Sequence, residues 1–108
     1  MSDAAEWDEA IAADLVGSLV IAELTYERPD GETLRELQTY GVVTAVDRDE
    51  GVVIEVHGET WKGQTMVLPA TTDAYEKVPP GTYRLEMTGE TVVDPDYTTS
   101  WTFTEMPS

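Results

Sequence analysis

Near residue 16 the spacing of apolar side chains changes from helical to alternating, and this change limits the possible folds more than any other feature of the chain. In GSLVIAELTYER, Val20, Ala22, Leu24 and Tyr26 fall on one face, and Glu23, Thr25 and Glu27 on the other. The stretch RPDGE ends this strand: Pro29 fixes φ and Gly31 is free to take positive φ. A long second strand is expected over residues 33–47. Gly41 interrupts it, which points to a bulge or sharp bend where a small barrel turns a corner. Asp47, Asp49 and Gly51 then supply turn chemistry. Val52, Ile54 and Val56 follow, alternating with Val53, Glu55 and His57.

The remaining stretches are shorter. GETWKG reads as a turn and QTMVLP as a fourth strand. ATTDAYEKVPPG reads as a helical turn or loop stopped by Pro79 and Pro80. TYRLEMTGE places Tyr83, Leu85 and Met87 inward, with Arg84 and Glu86 outward. TTSWTFTEM places Trp101 and Phe103 on one face. Ahead of the strands, residues 4–14 read as a short helix, with Ser2 or Asp3 as its cap. Trp7, Ile11 and Leu15 would form its narrow apolar face and pack onto the end of a sheet.

Charge bounds the function. Twenty-two acids face six bases, giving −16. A field of that sign repels phosphate backbones and anionic membrane surfaces, so neither nucleic acid nor membrane is expected as a partner. Two explanations remain: a solvated surface adapted to a salty cytoplasm, or a surface complementary to a basic protein. The acids run along the whole chain, and only two of the bases are Lys. No apolar run approaches the ~20 residues that span a bilayer. The acidic start lacks the basic segment of a signal peptide. A cytoplasmic protein is expected. With no Cys, disulfides, thiolate chemistry and Cys-based zinc sites are excluded.

The order of helix, strand, Asp30-Gly31 turn, bent strand, acidic turn and strand resembles the Sm-like small barrel. Gly41, Val43, Val46, Asp47, Val53 and Glu55 carry the match, within residues 5–57. Other SH3-like barrels share this pattern of short twisted strands around a bent one. The Sm family binds RNA through a His and an Asn in the turn after the aspartate. Here those places hold Arg48, Asp49, Glu50 and Gly51, so the resemblance implies architecture and not RNA binding. The second half, with VPPGTYRL and DPDYTTSW, departs from the family.

Signals for other chemistry are sparse. An EF-hand beginning at Asp47 would need an acid where Gly51 stands and a Glu where Gly58 stands. His57 shares its face with Glu55 and has no nucleophile motif beside it; G-x-S-x-G and H-E-x-x-H are absent. The fold expected is therefore all-β: a small, bent SH3-like or Sm-like barrel of about six strands over residues 16–104, behind an N-terminal helical segment over 1–15. The role expected is a non-catalytic acidic interaction module with no cofactor or metal. Trp61, Tyr75 and Tyr97, placed in loops, would anchor a basic partner. Asp47, Asp49, Glu50, Glu55, Asp94 and Asp96 would steer it. A narrower alternative is an immunity-type inhibitor of a basic toxin or nuclease. The third class is a small metal-dependent hydrolase.

Overall fold

The computed structural model describes residues 7–105. Among them the fold is all-β with one short α-helix, as the alternation implies. Helix α1 (Glu9–Leu15) is followed by β1 (Leu19–Glu27), β2 (Thr33–Asp47), β3 (Gly51–Val56) and β4 (Thr65–Leu68). A 3₁₀ turn at Thr72–Ala74 leads into β5 (Tyr75–Lys77), then β6 (Thr82–Arg84), β7 (Thr91–Val93) and β8 (Tyr97–Thr104). Eight strands thus stand where about six are expected from turn spacing. They form a six-stranded sheet in the order β4-β3-β2-β1-β8-β5 and a separate β6-β7 ribbon.

Of the helix expected over residues 4–14, residues 4–6 lie outside the described residues; among the described ones helix α1 begins at Glu9. Asp8 is its N-cap, with Oδ1 accepting the backbone N–H groups of Ala10 (2.9 Å) and Ile11 (3.2 Å). Trp7 therefore precedes the helix, while Ile11 and Leu15 pack into the core as expected. Ser2 and Asp3, the caps inferred from sequence, lie outside the described residues.

Strand β2 explains the shape. Its residues 33–42 pair with β1, and residues 41–47 pair with β3. Gly41 is where the two ladders meet, facing Val20 on one side and Val56 on the other. A Cβ there would sit 2.2 Å from the Glu55 carbonyl oxygen, so only glycine lets β3 come this close. The register slip itself falls slightly later, between Val43 and Ala45, where Thr44 is the extra residue. In a flat sheet Tyr26, six residues along β1 from Val20, would stand about 20 Å from the Val56 row. Instead Tyr26 and Val56 line one cavity, so the sheet curls back over itself along β2.

The curled face gathers one core: Val20, Ala22 and Leu24 of β1, Val43 of β2, Val52, Ile54 and Val56 of β3, Met66 and Leu68 of β4, Tyr75 of β5 and Tyr97 of β8. Leu15 closes it from α1, and Trp101 and Phe103 pack against it as their shared face implies. The opposite face of β1 also carries apolar residues. The β6-β7 ribbon covers these, burying Ile21 with Leu85 and Val92, flanked by Leu19, Tyr40 and Tyr83. Met87, expected inward, is 51% exposed, because β6 ends at Arg84 and Met87 lies in the turn of the ribbon. The parallel pairing of β1 with β8, from Val20↔Tyr97 to Glu27↔Thr104, makes the large sheet mixed.

Candidate functional site

Two of the three expected anchors are core residues. Tyr75 lies on β5 and is 4% exposed; Tyr97 opens β8 and is also 4% exposed. Neither is a loop aromatic available to a partner. Tyr75 stands edge-on to Trp101, with ring centroids 6.3 Å apart. The Tyr75 hydroxyl and the Trp101 indole N–H are both buried without a hydrogen-bond partner. Burial pushes the Tyr75 phenol well up, partly offset by the neighbouring indole N–H. The Tyr97 hydroxyl donates to Asp14 Oδ2 at 2.6 Å, which fastens β8 to α1. Lys77 Nζ lies 3.3 Å from the same oxygen. Burial and the Asp14 carboxylate push the Tyr97 phenol up to about 12. The hydrogen bond from Tyr97, then Lys77, holds Asp14 below its ordinary carboxylate value.

The expected steering acids divide into several roles. Asp47 Oδ1 accepts the N–H groups of Asp49 (2.7 Å) and Glu50 (2.8 Å), which closes the β2-β3 turn and holds the Asp47 carboxyl down. Gly51 completes that turn at φ 119°. The stretch is a strand, a tight turn and a strand. Asp94 sits at φ 52° and accepts the Gly81 N–H at 2.9 Å. Asp96 accepts the Leu19 N–H at 2.9 Å, docking the entry of β8 onto the start of β1. Asp49 and Glu50 point to solvent. Glu55 Oε1 lies 3.5 Å from Nε2 of the exposed His57. Among the described residues no three His, Asp or Glu side chains are grouped to hold a metal ion.

Trp61, the remaining anchor, is half-buried and occupies an unusual backbone state, φ 66°. A bulky residue in this region costs about 1–3 kcal/mol and persists only where its surroundings fix it. Here four contacts do so. Thr39 Oγ1, fully buried, donates to the Thr60 carbonyl at 2.9 Å. Glu90 Oε2, from the ribbon, accepts the Glu59 N–H at 2.9 Å. Gly63 N–H donates to Val56 O at 3.0 Å and Gln64 N–H to Trp61 O at 2.9 Å. Trp61 and Tyr26 line one cavity of about 290 Å³, with Val56, Met66, Gln64 and Thr65 as its other walls.

Tyr26 also begins an aromatic row. Phe103 lies 5.4 Å from it, and Trp101 stacks 6.4 Å beyond Phe103. The Arg35 guanidinium sits 4.4 Å over the Tyr26 ring and pairs with Glu105 at 2.9 Å. Sequence alternation puts Tyr26 on one face with Val20 and Val56 on one face with Ile54, but gives no sign that Tyr26 and Val56 meet Trp61. A second, more open depression joins Tyr40, Glu55, His57 and Lys62. No family model, curated protein or solved structure matches the chain. Among the described residues no helix is long and apolar enough to cross a membrane.

Proposed function

We propose that the protein is a non-catalytic acidic interaction module that binds a basic protein partner through surface complementarity. The observation that carries this role is where the acids lie. Among the described residues no Asp or Glu residue is classed as buried, and ion pairs engage only Asp14, Glu32, Glu55 and Glu105. With six bases in the chain, most of the negative charge faces solvent unopposed. Such a surface steers a cationic partner and sets association rate and specificity.

We read the architecture as an SH3-like or Sm-like small barrel, supported by the curl of β2 at Gly41. RNA recognition is not part of this assignment, since Asp49 and Glu50 occupy the turn. The chain has no Cys, so nothing in it calls for an oxidising compartment, and we assign it to the cytoplasm.

The test is thermal unfolding, followed by circular dichroism, from near-zero to molar salt. A folded chain at low salt, stabilised modestly as salt screens self-repulsion, is the expected result. A chain that folds only near molar salt would mean that the charge serves a saline environment, and the interaction role would lose its basis.

A further inference from the structure

We infer that the cavity between Tyr26 and Trp61 is an anchor site for an arginine side chain of the basic partner. This rests on the interaction-module role and names the place where it acts. Three independent features converge there.

The first is the chemistry of the walls. Tyr26 and Trp61 are aromatic walls, and Val56 and Met66 supply an apolar lining for an aliphatic stem. The Gln64 amide oxygen and Thr65 hydroxyl are acceptors suited to guanidinium N–H groups. The second feature is a precedent within the chain. Arg35 already stacks on Tyr26 at 4.4 Å while Glu105 holds its charge, so this ring accepts a guanidinium. The third is the strain at Trp61. A glycine would take φ 66° freely, as Gly63 takes φ 83° two residues on; the chain instead holds an indole there with a buried threonine and a ribbon carboxylate.

Charge selects the occupant. The chain carries −16 in total, and Arg35, the cation over the Tyr26 ring, is itself paired with Glu105. A net field of that sign draws a cation and repels an anion. An arginine meets the aromatic walls, the apolar lining and the field together.

The experiment is a titration of the full isotope-labelled chain, followed by two-dimensional NMR. The probe is a capped glycine pentapeptide with a central arginine. Its control carries citrulline, which has the same shape without the charge. The Trp61 indole N–H resonance is assigned by Trp61→Phe. Expected is a saturable shift of Trp61 and of the Met66 methyl with the arginine peptide, none with citrulline, and about tenfold weaker binding in Tyr26→Leu. Shifts confined to acidic surface amides, leaving Trp61 unmoved, would overturn the anchor site while the acidic surface retained its role. A Trp61 shift equal for both peptides would overturn charge recognition at the cavity. No shift anywhere with the arginine peptide would count against both the anchor and the basic-partner role. The comparison of peptides uses the unaltered chain, so it holds even if a variant folds poorly.

Discussion

Replacing Gly41 with alanine should destabilise the protein through steric contact alone. Gly41 does not sit at positive φ, so the cost comes from contact and not from backbone conformation. The added Cβ would lie 2.2 Å from the Glu55 carbonyl oxygen, 2.9 Å from its carbonyl carbon and 2.8 Å from Ile54 Cγ2. Two of these atoms belong to the backbone of β3, which cannot rotate away as a side-chain tip can. Relief requires separating β3 from β2 where β2 changes partner, opening the ladder and lifting Ile54 and Val56 from the core. Overpacking of this kind costs about 3 kcal/mol, the upper end of its usual range. For a domain of this size that corresponds to roughly 12–24 °C in melting temperature. The reference variant is Gly31→Ala, at φ 94° with nothing within 4 Å of the added methyl. Backbone conformation alone costs it about 1–2 kcal/mol. Melting both variants at one fixed salt concentration separates the two effects. If Gly41→Ala melts at or above Gly31→Ala, the close approach at Glu55 is not what bends the sheet.

Further tests address two side-chain hydrogen bonds, one fixing the Trp61 turn and one fastening β8 to α1. Thr39→Val keeps the shape of a fully buried side chain but removes its bond to the Thr60 carbonyl. A loss of about 1 kcal/mol is expected, with a displaced Trp61 indole resonance, since this bond fixes the turn that carries it. Tyr97→Phe should cost about 1 kcal/mol at neutral pH through its lost bond to Asp14. In the unfolded chain a Tyr ionises near pH ~10, whereas Tyr97 holds its proton to about 12 when folded. The folded state then binds more protons, so stability is full below pH ~10 and falls as pH rises toward the folded value. Denaturant titrations across alkaline pH should show a shallower fall in Tyr97→Phe than in the unaltered chain.

Local features of the fold were legible because local chemistry fixes them. The bounds of β2, the inward set of β1 and the turns at Asp30-Gly31 and Asp47–Gly51 follow from alternation and from residues suited to positive φ. The parallel pairing of β1 with β8 was not legible. Val20 and Tyr97 are far apart in sequence, and no turn signal records a contact of that span. Tyr75 and Tyr97 were misplaced for a related reason. Prolines and acids around them imitate a loop, yet β8 lies between β1 and β5 and turns both rings into the core. The three-residue strands β5 and β7 are too short to show a period. Trp61 was legible as a turn residue but not as a cavity wall, since only the curl brings Tyr26 to it.

That curl links stability to recognition. Strand β1 is apolar on both faces at its start, with Val20 and Ala22 inward and Leu19 and Ile21 outward, so it cannot leave either face in water. The β6-β7 ribbon covers the outer face, and the β3-β4 arm folds over the inner one. The arm leaves β2 beside Val20, but β1 continues to Tyr26, so its coverage thins toward the mouth. There Tyr26, backed by Phe103, and Trp61 wall a cavity of about 290 Å³. The ribbon reaches this place too, since Glu90 holds the turn before Trp61. Both covering elements therefore converge on one residue in a strained conformation. A ligand seated against Trp61 would draw on the packing of the whole domain, so its binding should raise the melting temperature and not only move local resonances.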